Sequence, residues 1–196
     1  MKLTCIREKF LSLMQLAAAT ASSRTPKDIL KNIKLEVSAE NNMAILMASD
    51  MEIGIRIESM VFSVEQSGEV LLPPKIVGAI LRESTDESLT LESDGSQLRI
   101  YGQQSQYSIA TEDPMEYPPV LPFSDNDYHQ VSARFFREMI HRTAFATDEE
   151  SSRYALGGVL LELDESRVTA VATDGRRLAS QCGPAAQVGS KEIAGN

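Results

Sequence analysis

Apolar and polar positions alternate along this chain in two rhythms. From Arg7 onward, Phe10, Leu11, Met14, Ala17 and Ala18 recur at helical spacing and make one apolar face. Phe135, Phe136, Met139, Ile140, Thr143 and Ala144 make a similar face near the middle of the chain. Pro73-Pro74 opens a third helical segment, since proline suits a first turn, and Ile76, Val77, Ile80 and Leu81 share one side of it. Elsewhere the period is two, as in half-buried strands. Ile33/Leu35/Val37, Ile53/Ile55/Ile57, Leu89/Leu91, Leu98/Ile100 and Val159/Leu161/Leu163 all alternate, and 43–47, 60–64, 69–72 and 106–110 are short strand-like runs. Asp94-Gly95 between two such runs marks a hairpin. The pattern predicts an α+β fold in which strands are covered by about two helices per unit.

The chain also repeats itself. Phe10 and Phe136, Leu30 and Leu156, and Ile33 and Val159 are each 126 residues apart. Both helical faces lead to Ser-Ser-Arg, at 22–24 and 151–153, then to an alternating strand, then to Ala48-Ser49-Asp50 or Ala172-Thr173-Asp174. The order is kept with small insertions and deletions. Two copies of one unit are expected, 1–122 and 123–196, the second cut short at Asn196. Residues 113–127, rich in proline and acid, read as an extended linker between them.

Charge sharpens the picture. The chain of 196 residues carries −9 overall, which alone argues against nucleic acid. The three helical segments, taken as 7–31, 74–83 and 132–142, nevertheless carry +6 together and leave −15 on the rest. Basic helices on an acidic body suit a protein that holds DNA on one face and repels it elsewhere; chance clustering on solvated faces is the plainer alternative.

Residues in company suited to catalysis are scarce. His129 and His141 have no partner spacing for a metal, and no phosphate-cradling glycine loop occurs. Gly157-Gly158 at a strand start suits tight packing. Cys5 and Cys182 stand alone and fit a reducing cytosol as small buried hydrophobes. No apolar run reaches the roughly 18 residues of a membrane helix, and the charged start lacks a secretory pattern.

The most specific segments are Arg153-Tyr154-Ala155-Leu156-Gly157-Gly158 and Ala172-Thr173-Asp174-Gly175-Arg176-Arg177-Leu178. They resemble the middle domain of the bacterial DNA polymerase III beta subunit family, the sliding clamps. There an Arg-Tyr-x-Leu-x-Gly strand precedes Ala-Thr-Asp-Gly-His-Arg-Leu. Ser49-Asp50-Met51-Glu52-Ile53 and the opening Met1-Lys2-Leu3-Thr4 resemble that family's first domain. The resemblance implies repeated clamp domains with antiparallel sheets outside and two helices each lining an inner face. It implies a non-enzymatic processivity factor without cofactor, acting in the cytoplasm, closed as a homodimeric ring in full-length form around double-stranded DNA. Partners would be the polymerase III catalytic subunit, the clamp loader, and other polymerases and repair proteins bearing clamp-binding peptides. Arg24 and Lys75 fall where the family places basic DNA contacts; helix position adds Arg134, Arg137 and Arg142. The family's peptide pocket would fall on Arg153, Leu156, Thr173, Gly175, Arg176, Arg177 and Leu178, with Leu156 and Leu178 as its apolar wall. Asp174 is expected to brace the turn. Arg176 departs from the histidine common there. An α+β interaction module without DNA encirclement is the alternative.

Overall fold

The alternation at Leu3 and Cys5 buries one side of β1 (Lys2–Ile6), which runs straight into α1 (Arg7–Ala18). The computed structural model describes residues 1–21, 27–148 and 156–189. A short 3-10 turn at Asp28–Lys31 precedes three antiparallel strands, β2 (Ile33–Ser38), β3 (Met43–Ser49) and β4 (Gly54–Ser59), and β5 (Phe62–Gln66) returns to pair with β1. The strand–helix–three-strand order then recurs as β6 (Gly68–Leu72), α2 (Pro74–Glu83), β7 (Ser88–Ser93), β8 (Gln97–Tyr101) and β9 (Gln106–Ala110).

Two sheets result, in the orders β4-β3-β2-β6 and β5-β1-β7-β8-β9. The four-stranded sheet holds β2, β3 and β4 of the first half and the leading strand of the second; the five-stranded sheet holds β7, β8 and β9 of the second half with β1 and β5 of the first. The halves therefore lend strands to one another: β1 pairs with β7, and β6 with β2. The helices run antiparallel. At one end Arg7 Nη1 donates to the Leu81 carbonyl at 2.8 Å, and Nε to that of Asp86 at 3.1 Å. At the other, Ala18, Ala19 and Ala21 line a groove with Pro74, Lys75 and Ile76. Phe10, Met14, Leu35, Leu46, Leu72, Leu81, Leu89 and Leu91 fill the core between, and the Phe10 ring meets Phe62 edge-on at 5.5 Å. Cys5 lies in this core, where burial pushes its thiol up to about 12.

The segment 113–127 is not extended throughout. Residues Pro114–Glu116 form a 3-10 turn, and Tyr117 is buried against Leu30 and Leu71. Its hydroxyl accepts from the Ser49 N–H at 3.1 Å and donates to the Asn32 carbonyl at 3.2 Å. Tyr117 keeps the extended backbone favoured before a proline, and the departure is the three-residue turn, capped by Asp113, whose side chain accepts from the Met115 N–H at 2.9 Å. The chain falls into two units, one ending at Pro122 and the other beginning at Phe123.

The second unit contains β10 (Tyr128–Gln130), α3 (Ala133–Thr143), a 3-10 turn (Ala144–Ala146), β11 (Leu160–Asp164), β12 (Arg167–Thr173), β13 (Leu178–Pro184) and β14 (Ala186–Val188). This is the order of β1 to β5 again, and β14 pairs with β10 as β5 does with β1. Leu35 faces Leu46 across β2 and β3; Leu161 faces Ala170 across β11 and β12. The repeat is thus 126 residues at the first strand and 124 at the second. A shorter hairpin accounts for the two, because its last pair is Asp164 with Arg167 where the first unit has Ser38 with Met43.

Three expectations change. Burial matches Phe135 and Met139 to Phe10 and Met14, so the helix repeat is 125 and Phe136 is exposed. The ring of Phe135 occupies the space where a Cβ on Gly183 would stand, which fixes it toward the sheet. Nothing lies within 4 Å of where a Cβ on Gly158 would stand, so tight packing is not that glycine's role. Cys182 is exposed on β13, not buried.

Candidate functional site

Thr173, Asp174 and Gly175 make the tight turn between β12 and β13. The Thr173 hydroxyl donates to the Arg177 carbonyl at 2.7 Å and accepts from the Gly175 N–H at 3.0 Å. Asp174 Oδ1 accepts from the N–H groups of Arg176 and Arg177 at 2.9 and 2.8 Å. Its Oδ2 lies 3.0 Å from Arg177 Nε. The Arg177 N–H, then that of Arg176, hold this carboxyl below its ordinary value, with the Arg177 charge adding to them. Asp174 is a turn brace, as its position implies. Gly175 has φ +83, a conformation glycine enters freely.

The first unit builds the same turn from different residues. Ser49 Oγ accepts from Met51 N–H at 3.1 Å, and Asp50 Oδ1 accepts from Glu52 and Ile53 N–H at 3.0 and 2.7 Å. Met51 sits at φ +80, in the place of Gly175.

Five of the expected pocket residues, Thr173, Gly175, Arg176, Arg177 and Leu178, lie in or directly after this turn. Arg176, Arg177 and Leu178 are exposed, and Thr173 is half-buried. Leu178 pairs with Thr173 at the strand mouth. Leu156 is half-buried, and its carbonyl accepts from the Asp148 N–H at 2.8 Å. Phe145, which sequence patterning did not single out, is exposed and lies under the Arg177 guanidinium at 5.5 Å. An apolar ring just past the helix end, in Thr143-Ala-Phe-Ala, was the available signal. Arg153 lies outside the described residues.

The basic positions fall in two places, one in each unit. In the first, Lys75 lines a groove with Lys31, Arg82, Asn32, Ile76 and the end of α1. Arg7, counted with this helix's charge, is instead committed to backbone carbonyls. Arg24 lies outside the described residues. In the second, Arg134 and Arg137 line a groove with Glu138, Ile140, His141 and Ala144. Arg142 is ion-paired with Glu138 one turn away, which dilutes its charge. Among the described residues no cluster of three or more His, Cys, Asp or Glu side chains could hold a metal. No described helix is long and apolar enough to cross a membrane.

Residues 1–122 match the family model of the DNA polymerase III beta subunit N-terminal domain, and 130–194 that of its central domain. A beta sliding clamp of Synechococcus elongatus is 29% identical over 180 residues, covering 91% of this chain and 48% of its own length. The clamp of Pseudomonas aeruginosa is 27% identical over 193 residues, 98% of this chain and 52% of its own. The chain thus spans about half the length of the relatives it matches. Among solved structures, the P. aeruginosa DNA polymerase III beta subunit superposes with a TM-score of 0.84 at 26% identity, over 97% of this chain and 51% of that one. A Helicobacter pylori beta clamp bound to a DNA ligase peptide shares the fold, with a TM-score of 0.81 at 22% identity.

Proposed function

The chain belongs to the DNA polymerase III beta subunit family, and from that premise we propose that it serves as part of a sliding clamp. In this reading a non-catalytic ring surrounds duplex DNA without reading its sequence and tethers replication and repair proteins. The fold match over nearly the whole chain carries the proposal.

Tethering without sequence readout needs positive charge spread along helices, at a distance that lets phosphates exchange. Lys75, Arg134 and Arg137 are exposed on such helices and supply it; Lys31 and Arg82 extend the first groove. Arg24 and Arg142 join them, the latter attenuated by Glu138. Recruitment falls to the second unit's turn. Leu178 and Phe145 offer apolar surface and Arg177 stacks on that ring; Leu156 and Arg153 are assigned to the same pocket by the family resemblance. Apolar anchors of short peptides from the polymerase III catalytic subunit, the clamp loader, other polymerases and repair proteins would seat there. The H. pylori clamp, with its ligase peptide, is the precedent. The full assembly in this reading is a homodimeric ring in the cytoplasm.

Two measurements test the proposal. Each of Lys75→Ala, Arg134→Ala and Arg137→Ala is expected to flatten the slope of log affinity for duplex DNA against log salt by roughly 0.9. Unchanged slopes in all three would remove the DNA role. Leu156→Asp with Leu178→Asp is expected to abolish binding of a clamp-binding peptide while leaving the melting of the first unit intact. Undiminished peptide affinity would remove the pocket.

A further inference from the structure

The braced turn occurs twice, and the tip of the first-unit copy is the odd one. Met51 holds φ +80 there, where Gly175 holds +83 freely. Packing does not offset that strain, because the Met51 side chain is 59% exposed. Strain kept at the surface by a large apolar side chain points to a role in contact.

The surroundings fit such a role. The Asp50 N–H donates to the Ile53 carbonyl at 3.1 Å and closes the turn, leaving Ile53 63% exposed. Two contacts fix the segment 113–122 against it. The Ser49 N–H donates to the Tyr117 hydroxyl, and Val120 Cγ1 lies 3.1 Å from where a Cβ on Gly54 would stand. That segment carries Met115 and Leu121, which are 82% and 80% exposed. Four large apolar side chains are thus carried by the turn and the segment held beside it, a cluster rather than scattered surface residues. Two of the four are methionines, whose unbranched side chains adapt to partners of varied shape.

Charge defines the partner. Glu52 and Glu116 are exposed, and neither is ion-paired among the described residues. In the second unit Arg176 and Arg177 take the places of Glu52 and Ile53, bonded to Asp174 as those two are to Asp50. The scaffold is shared and the sign of its charge is reversed.

We propose that the first-unit turn is a second peptide-docking site, for apolar segments flanked by lysine or arginine. The proposal rests on the reading of the second turn as a peptide seat. Met51 and Ile53 supply the apolar anchorage. Glu52 and Glu116 meet the flanking cations and turn away the acid-flanked segments that Arg176 and Arg177 attract. One chain thereby offers two seats that do not compete.

The test uses the full 196-residue chain and two labelled peptides with one Leu-Phe core, flanked by lysines or by aspartates. Fluorescence anisotropy is expected to show both binding. Met51→Gly removes the side chain while relieving the backbone, so it is expected to weaken the lysine-flanked peptide about tenfold at undiminished stability. Glu52→Arg is expected to weaken it similarly. Glu40→Arg, the same charge change on the exposed β2–β3 hairpin, is expected to leave it unchanged. Leu178→Asp is expected to act on the aspartate-flanked peptide alone. In 13C-methyl spectra the lysine-flanked peptide is expected to move the Met51 signal and not that of the wholly buried Met139. Equal losses in Glu52→Arg and Glu40→Arg would reveal diffuse attraction to an acidic surface and overturn the proposal. Unaltered affinity of Met51→Gly, a motionless Met51 signal, or loss of the lysine-flanked peptide in Leu178→Asp would overturn it too. An aspartate-flanked peptide indifferent to Leu178→Asp, beside a lysine-flanked one still weakened by Met51→Gly, would remove the second turn's role and uphold the first's.

Discussion

Gly175 and Met51 hold the same left-handed conformation in the same braced turn, yet only one of them is a glycine. A Cβ at Gly175 meets nothing within 4 Å, so substitution there acts through backbone strain alone. Gly175→Ala is expected to lower the stability of the second unit by about 1 kcal/mol, and Met51→Gly to leave the first unit's stability equal or higher. Urea midpoints measure both; a Gly175→Ala midpoint unmoved would contradict the strain. Asp174 carries a pH signature. Its folded-state carboxyl titrates below the unfolded one, so its contribution is fully present above the ordinary range near ~3.9 and is lost as pH falls through the depressed value. The stability difference between the native chain and Asp174→Asn is therefore expected to shrink on acidification below that range; a difference that grew would reverse the assignment. Sequence alone identified Asp174's structural role, because Thr-Asp-Gly limits what the turn can be. It could not show the partner of Arg177, since Phe145 lies 32 positions away and meets it only through the fold. Nor could it show that Arg7 is spent on carbonyl groups.

Among elements, the strands and the proline-started α2 were legible because period-two burial and a fixed φ leave local signatures. Helix register was not. Two adjacent phenylalanines, Phe135 and Phe136, both fit an apolar face, and only the empty space over Gly183 decides which points inward. The consequence is measurable. Phe10→Ala removes a wholly buried ring from the first core and is expected to cost about 3–5 kcal/mol, a large share of a domain's stability. Phe136→Ala should cost far less, because its ring is already exposed. Equal losses in a denaturation series would refute the one-residue shift. The proline-rich run after β9 misled for a related reason: composition registers its average, while Tyr117 acts through two particular hydrogen bonds.

At the scale of the molecule, the repeat was readable as recurring order, and the α+β class followed from it. What escaped was the lending of strands between halves, because pairing of β1 with β7 joins positions more than 80 residues apart and leaves no local mark. That lending has a consequence for synthesis. The four-stranded sheet has all its strands once Leu72 has left the ribosome, whereas β1 then has only β5 beside it and waits for Ser88–Ser93 to supply its second neighbour. A nascent chain stalled between those two points should gain protection from protease over 33–72 before it gains it along β1.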